Sequence, residues 1–460
     1  MEARPLPDQR VLFISGIDGD TRRYRCIHQQ EQLAILGIES DLREHDDPGL
    51  LVDLLNYDLF LLHRVPYTPL IAAVIDVARS RGRPVVFETD DLVLDPALYD
   101  HIGFIDTLSV EEAHAYRTEL RQLAETFRRC DCVLTTPQFL ADEARQRGKP
   151  AYVNRNALSQ EMVHISEEVF AAERERETDR EEHPLVIGFF SGTGSHNRDF
   201  QTIAAPLIQV MNAHPQVLLH IQGHLALGPE FAPLQSRIRR APYVSWRELL
   251  YIIARVDINL APLEHGNPFC RAKSEIKFVE AALVGVPTIA SRMDAYEFAI
   301  TDGQDGLLAT SSNEWEAALR DLIENPERRV AIGSAARKTA YARYMPEQRA
   351  AELRQTVQDI LERFRTAAAP PEKILDQMAE SLRAYAEQMH LAASEHETQL
   401  DSLRRMIAQY ERQLENTHQQ LEAKEQQVRQ LQQHLEEIRQ GRVMRFTAAV
   451  NRILRKVRGS

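Results

Sequence analysis

The stretch "CRAKSEIKFVEAALVGVPTIAS", residues 270–291, reads as a charged turn, an amphipathic helix and a short β-branched strand. Lys273, Ser274 and Lys277 stand at the start of the helix, and Glu280 follows one turn later. A helix N-terminus presents unpaired backbone N–H groups and a partial positive charge, so two lysines and a capping serine there suit a diphosphate. The Glu280 carboxylate can accept hydrogen bonds from two neighbouring hydroxyls, such as those of a ribose. The alternative is an ordinary amphipathic helix with a charged surface.

A second candidate turn, "FFSGTGSHNRDF" at residues 189–200, lies between an apolar strand and a helix. Its glycines let the backbone approach a ligand closely, and the polar side chains after them can donate hydrogen bonds. Ligands of open α/β sheets bind at the carboxyl ends of strands, so two such helix starts in one domain predict one binding site. The residues of this turn that we predict to bind the ligand are Gly192, Thr193, His196 and Arg198.

Short apolar runs alternate with amphipathic helices along most of the chain, which indicates parallel α/β sheets. One series runs from "RVLFIS" (10–15) to "AYVNRN" (151–156), and another from "LVIGFFSG" (185–192) to "PTIAS" (287–291). The predicted organisation is an α/β domain over 1–165, a charged linker over 166–183, a second α/β domain over 184–345, and a crossing helix with a linker over 346–370. An exposed helix is the alternative for the charged linker.

Residues 371–440 show a sustained heptad pattern, with apolar residues at alternating spacings of three and four from Leu375 to Ile438. This pattern predicts a long α-helical coiled coil and a homo-oligomer formed through residues 375–438. At 1.5 Å per residue the rod is roughly 95 Å long. A single exposed helix is the alternative, and the pattern leaves dimer, trimer and hetero-assembly open.

Residues 441–460 form a basic segment with apolar side chains on one helical face and no acidic residue. An amphipathic basic helix of this kind suits an anionic membrane surface, which we predict to be bound through residues 442–458. A frayed basic tail and a protein-binding helix are the alternatives.

Composition excludes several classes of protein. The net charge of −13 over 460 residues argues against a surface built for nucleic acid. No apolar run of 18 residues is present, so no membrane span is expected, and the polar N-terminus does not read as a secretory signal. The four cysteines follow neither a zinc nor a disulfide spacing, which favours a reducing cytoplasm.

Together these features resemble the GT-B glycosyltransferases of the GT4 type, a large group of retaining enzymes that use nucleotide sugars. The most specific part lies within residues 280–309, where "EAALVGVPTIAS" and "DGQDGLLA" are similar to the family's E-A-x-A-x-G-x-P-V-x-A-S and its G-x-x-G-x-L. The resemblance covers about residues 10–365. It implies two Rossmann-like domains facing across a cleft, to which this chain adds the coiled coil. It also implies that Glu280 binds the ribose and that the turn from Lys273 to Lys277 faces the diphosphate.

The chain departs from the family at one position. The family's pattern is a glutamate, seven residues and a second glutamate, but Ala272 stands eight positions before Glu280. In the family the first glutamate touches the donor sugar. Glu264 and Glu275 are the candidates to replace it, and loss of activity is the other possibility.

The first domain is expected to hold the acceptor. Residues 16–38 and the strand ends "YDLFLLHRV" and "VVFETDDLVLDP" resemble a subgroup that makes bacterial surface polysaccharides, including rhamnosyltransferase-like enzymes. Asp90 and Asp91 stand at a strand's carboxyl end, where one of them can bind acceptor hydroxyls or act as a base; a capped, solvated turn is the alternative. The other residues expected at the cleft are Gly16, Tyr24, Arg25 and Arg64.

The resemblance therefore implies a glycosyltransferase that moves a sugar from a nucleoside-diphosphate sugar to a lipid-linked or growing surface glycan, such as an O-antigen, a capsule or an S-layer-type polysaccharide. GT-B enzymes generally need no metal, so neither a metal nor a cofactor is expected. The expected location is the cytoplasm, at the inner face of the bacterial membrane. The alternative is a catalytically degenerate GT-B scaffold whose coiled coil organises or spaces a glycan assembly complex.

Overall fold

The computed structural model describes most of the two predicted α/β domains and part of the C-terminal extension. It describes residues 9–47, 49–97, 108–177, 184–192 and 196–370, and beyond these residues 373, 376, 379–380, 383–387, 389–390, 408, 412, 419, 422–434, 436–437, 440–442 and 444–452.

The first domain is built on a sheet of six parallel strands in the order β2-β1-β3-β4-β5-β6. The central strands are buried on both faces, which explains why they read as continuous apolar runs. The strands are β1 (Arg10–Ser15), β2 (Glu39–Glu44), β3 (Leu59–His63), β4 (Val85–Thr89), β5 (Cys132–Thr135) and β6 (Ala151–Val153). The helices are α1 (Asp20–Arg22), which continues through a π-helical turn (Arg23–Ile27) into α2 (His28–Ile35), then α3 (Leu50–Asp53), α4 (Pro69–Ser80), α5 (Val110–Arg129) and α6 (Gln138–Gln146).

The second domain has a sheet of six parallel strands in the order β12-β11-β10-β7-β8-β9. The strands are β7 (Val186–Ser191), β8 (Leu218–Gly223), β9 (Ile238–Ala241), β10 (Ile258–Ala261), β11 (Thr288–Ser291) and β12 (Leu307–Ala309). The helices are α8 (Asn197–Gln201), α9 (Ala204–Ala213), α10 (Trp246–Ile253), α11 (Pro268–Arg271), α12 (Ile276–Leu283), α13 (Asp294–Ala299), α14 (Ser312–Glu324) and α15 (Pro326–Tyr344). The strand order reverses direction between β7 and β10, and ligands bind at such a point in open α/β sheets.

Two helices connect the domains. Helix α7 (Gln160–Glu177) includes residues 166–177, so this part of the predicted linker is helical, and Ser166 and Val169 within it are buried; residues 178–183 lie outside the described residues. Helix α16 (Pro346–Phe364) follows the second domain and returns to the first, where its apolar face packs against α2. The prediction of two parallel α/β domains is confirmed.

The chain divides into two compact units, residues 1–383 and residues 384–460. In the second unit the described residues are helical, and Val428 and Leu431 of the heptad pattern are exposed in the single chain. Most of the predicted coiled-coil seam lies outside the described residues. Within the described part of the chain, no helix has the length and apolar character needed to cross a membrane.

Candidate active site between the two domains

Glu280 lies in the second turn of α12, and its carboxylate is contacted from the first domain. The phenol of Tyr24 donates a hydrogen bond to Glu280 Oε1 at 2.8 Å, and Arg23 Nη2 lies 3.7 Å from the same oxygen. Burial raises the pKa of Glu280, and the positive charge of Arg23 opposes that rise. Tyr24, predicted near the cleft, therefore lies within it, but against the residue expected to bind the ribose.

The ammonium of Lys277 is buried beside an aromatic ring. It lies 4.6 Å from the centroid of the Phe189 ring and has no hydrogen-bond partner among the described residues. Burial lowers the pKa of Lys277 to about 8, and the charge of Lys273 adds to this effect while Asp199 and Glu280 oppose it. Because a desolvated charge without a partner is costly, this ammonium is ready to bind an anion.

His196 is neutral at pH 7. The positive charge of Lys277 and burial together lower the pKa of His196 to about 4. Its Nδ1 lies 2.9 Å from Asp199 Oδ2, and because a carboxylate only accepts, Nδ1 carries the hydrogen. His196 is thus fixed in one tautomer beside Lys277.

Asp199 is a site residue that the sequence analysis missed. Its Oδ1 accepts the Glu264 backbone N–H at 3.0 Å and the Cys270 thiol at 3.2 Å, while its Oδ2 binds His196. The side chain thereby joins the turn after β7 to the loop after β10, on either side of the point where the strand order reverses. The available signal was an aspartate in the first turn of the helix that follows the glycine turn.

Asp90 and Asp91 follow β4 and lie near Arg64, which follows β3. Arg64 Nη1 is 3.9 Å from Asp90 Oδ1 and 3.6 Å from Asp91 Oδ2. Burial raises the pKa of Asp90, and the charge of Asp91 adds to the rise. Burial also acts on Asp91, but the charges of Lys273 and Arg64 and the Leu92 N–H outweigh it and lower the pKa of Asp91. Asp90 is therefore the more basic of the two carboxylates.

Gly16 and Arg64 are constrained by the backbone between them. A Cβ on Gly16 would lie 2.1 Å from the carbonyl oxygen of Arg64, so only glycine fits beneath the loop that follows β3. Arg64 has a φ of 48°, an unfavourable conformation for a residue with a side chain. Such strain is typical of residues held in place at functional sites. Gly16 thus positions Arg64, whose guanidinium then meets the two aspartates.

Arg25 was predicted at the cleft, but the structure buries it completely. Its Nε donates to Glu88 Oε1 at 2.6 Å, and its Nη1 donates to Asn156 Oδ1 at 2.8 Å. Burial raises the pKa of Glu88 to about 7, although the charge of Arg25 opposes the shift. A buried charge needs paired carboxylate and amide oxygens, which explains why Arg25 turns inward and joins the sheet to the loop after β6.

The remaining predicted residues of the donor side differ in their placement. Helix α12 begins at Ile276 with Glu275 as N-cap and no side-chain capping bond, so the prediction that Ser274 caps it is wrong. Gly192 is exposed, and a Cβ there would meet only Tyr243, at 3.8 Å. Arg198 is exposed on α8. Thr193 lies outside the described residues.

Ala272 is fully buried against Leu92, Phe139 and Leu140 of the first domain. Both candidate replacements for the family's first glutamate already have partners: Glu275 Oε1 accepts from Tyr344 and Arg155, and Glu264 Oε2 accepts from Asn267. Among the described residues, no group of three or more histidine, cysteine, aspartate or glutamate side chains is arranged to hold a metal ion.

Comparison with known families identifies the second domain. Residues 202–355 match the family described as glycosyl transferase-like. Over this third of its length the chain is similar to glycosyltransferases. The matched segment includes Lys273, Lys277 and Glu280, and it supports the predicted enzyme class. No curated protein sequence matches the chain.

Similarity to solved structures supports the predicted GT-B fold for this chain. HepE from Anabaena, crystallised with UDP, is 17% identical with a TM-score of 0.53 over 76% of this chain and 100% of its own. Sucrose-phosphate synthase from Thermosynechococcus elongatus is 15% identical with a TM-score of 0.51, covering 77% of this chain and 99% of its own. A glycosyltransferase from Rickettsia africae is 12% identical with a TM-score of 0.53, covering 78% of this chain and 100% of its own.

Proposed function

We propose that the chain is a retaining glycosyltransferase that moves a sugar from a nucleoside-diphosphate donor to a growing surface glycan. The observation that carries this proposal is the buried ammonium of Lys277, which has no hydrogen-bond partner in the described part of the chain and stands one turn before Glu280, at the point where the strand order reverses. An ammonium suits a diphosphate, and a carboxylate suits the vicinal hydroxyls of a ribose. Structures of the similar HepE hold UDP and UDP-glucose, which supports a nucleotide sugar as donor.

Departure of the nucleoside diphosphate is the step that these residues assist. Lys277, Lys273 and the uncapped N–H groups of α12 stabilise the negative charge that develops on the diphosphate as the bond to the anomeric carbon breaks. The acceptor hydroxyl then forms a new bond to that carbon from the face the diphosphate leaves, which retains the configuration. No metal is needed, because the lysines and helix N-terminus supply the positive charge.

Asp90 accepts a hydrogen bond from the acceptor hydroxyl and acts as its base. Its Oδ1 has no hydrogen-bond partner among the described residues, whereas Asp91 Oδ1 accepts from the Leu92 N–H at 2.9 Å. The raised pKa of Asp90 makes it the better base, and the hydroxyl proton passes to it as the glycosidic bond forms. The first domain, with Gly16 and Arg64 holding this edge, thus serves as the acceptor domain.

The C-terminal extension assembles and anchors the enzyme. Val428 and Leu431 are 52% and 60% exposed in the single chain, and a coiled coil would bury them. In the tail, Met444 and Phe446 are 74% and 72% exposed beside Arg442 and Arg445, a combination suited to an anionic membrane surface. These features favour a homo-oligomer at the inner face of the cytoplasmic membrane, acting on a lipid-linked glycan.

A degenerate scaffold is the second candidate function, because Ala272 replaces a glutamate and is packed into an apolar contact. Nucleotide binding separates the two candidates. Thermal unfolding of the full-length chain is measured with UDP, GDP, dTDP or CDP and with the common nucleotide sugars of each. The same measurement is made on Glu280→Ala and on a control variant, Glu362→Ala, which lies on the exposed face of α16. A ligand at 100 times its dissociation constant adds about 2.7 kcal/mol of stability.

If one nucleotide stabilises the parent and Glu362→Ala but not Glu280→Ala, the donor site and the base are established. If no nucleotide stabilises the folded parent, the transferase proposal fails and the scaffold takes its place.

A further inference from the structure

Two side chains of the acceptor domain reach the donor domain's carboxylate, and their own surroundings hold them still. The Arg23 guanidinium lies between the rings of Tyr24, at 4.2 Å, and Trp246 of the second domain, at 4.7 Å. Its Nε donates to Asp20 Oδ1 at 3.1 Å, and its side chain is 8% exposed. Tyr24 is 3% exposed, and its ring meets the His28 ring edge-on at 4.8 Å. Both groups are thus held in place by contacts within the protein.

The local backbone conformation explains why two successive side chains, Arg23 and Tyr24, approach the same Glu280 oxygen. Arg23 and Tyr24 open the π-helical turn Arg23–Ile27, which follows α1 directly after the carboxyl end of β1. A π-helical turn holds more residues than an α-helical one, so consecutive side chains point in closer directions, and such turns are frequent at functional sites.

The two oxygens of Glu280 have different partners. Oε1 accepts from Tyr24 and lies beside Arg23, whereas no described residue donates to Oε2. The side chain retains 11% exposure, so the carboxylate is not completely enclosed by the protein. Tyr24 therefore occupies only one oxygen of the Glu280 carboxylate. Its hydrogen bond fixes the rotation of the carboxylate and leaves Oε2 for a ribose hydroxyl.

We propose that Arg23 and Tyr24 are positioning residues of the nucleotide site, supplied by the acceptor domain, and that they couple nucleotide binding to closure of the cleft. The inference rests on the proposed function, since it takes Glu280 to be the ribose ligand. The bonds to Oε1 exist only while the domains are together, so a nucleotide that needs an oriented Glu280 favours the closed arrangement. By linkage, closure raises affinity for the nucleotide by the same factor.

The test compares two tyrosine hydroxyls with the same chemistry. Tyr24→Phe removes the bond to Glu280 and keeps the ring. Tyr57→Phe removes a bond of equal length, 2.8 Å from Tyr57 to Asp41 Oδ2, within the first domain and without contact to Glu280. UDP, GDP, dTDP and CDP are each titrated calorimetrically into the full-length parent and both variants.

We expect Tyr24→Phe to bind about tenfold more weakly whichever diphosphate the parent binds, because a hydrogen bond to a charged group is lost. Tyr57→Phe is expected to match the parent. A double-mutant cycle adds a readout that a purely structural role would not move: in the Glu280→Gln background, where the Tyr24 hydroxyl meets a neutral amide oxygen instead of a carboxylate, Tyr24→Phe is expected to weaken binding less than it does in the parent.

Equal affinity of Tyr24→Phe and parent, with binding lost in Glu280→Ala, overturns this inference and leaves the proposed function intact. Tighter binding by Tyr24→Phe also overturns it, because Tyr24 would then compete with the ribose. Unchanged binding by Glu280→Ala overturns the nucleotide site itself, and with it the proposed function.

Discussion

Nucleotide affinity is expected to fall as the pH rises above 8, because Lys277 loses its charge there. Burial lowers the pKa of this ammonium to about 8 in the free protein. A bound diphosphate favours the protonated form, so the complex holds its proton to a higher pH than the free protein does. As the pH rises, Lys277 of the free protein loses its proton, and binding of the diphosphate must then take up a proton again, which weakens the affinity.

The size of the effect follows from this pKa. At a pKa of about 8, roughly nine tenths of free Lys277 is charged at pH 7 and roughly a tenth at pH 9. If the complex stays protonated throughout, the dissociation constant rises about tenfold from pH 7 to pH 9, or about 1.4 kcal/mol. His196, with a pKa of about 4, stays neutral over this range and adds nothing to the change.

The assay is calorimetric titration of the diphosphate that stabilises the parent, at constant ionic strength, at pH 7, 8 and 9. Lys277→Arg keeps its charge over this range and is expected to give a flat profile. Lys277→Met is expected to bind weakly at every pH, and it serves if arginine does not fit the site. A parent profile that is as flat as that of Lys277→Arg would refute the role assigned to Lys277.

Three further outcomes are expected. Asp90→Asn leaves nucleotide binding intact and lowers kcat by about 10²-fold or more, measured as sugar transfer to the isolated acceptor glycan; an unchanged kcat would exclude Asp90 as the base. Gly16→Ala lowers the free energy of unfolding by about 1–3 kcal/mol in urea, because the new Cβ meets the Arg64 carbonyl; a change under about 0.5 kcal/mol would contradict that contact. Leu431→Asp dissociates the oligomer in light scattering, while its neighbour Gln432→Asp, outside the heptad seam, does not; equal masses would contradict the coiled coil.

The sequence predicted the central strands better than the edges. Strands β1, β3 and β4 are buried on both faces, so they appear as apolar runs that need no context to recognise. Strands β2 (ESDLRE) and β9 (IRRA) form sheet edges, are partly exposed and carry charges, so nothing in their composition sets them apart from loops.

The same distinction separates the site residues. Local sequence placed Lys277 and Glu280 on one helix, because their spacing and the chemistry of a helix start are properties of a few consecutive residues. It also placed Asp90 and Asp91 at a strand end. Local sequence does not show which side chain turns outward, and for that reason Arg25 was predicted at the cleft.

The amino-acid sequence alone determined that this chain has two parallel α/β domains, a helix that carries Lys277 and Glu280 one turn apart, and an extension with a heptad pattern. Each of these rests on periodicity or spacing along the chain. Only the tertiary structure decided the partners across the cleft: Tyr24 against Glu280, separated by 256 positions, and Asp199 beneath the loop after β10. It also decided that Asp90 rather than Asp91 is the more basic carboxyl. The physical reason is that hydrogen-bond partners and pKa values depend on burial and on charges brought together by folding, and no local pattern encodes them.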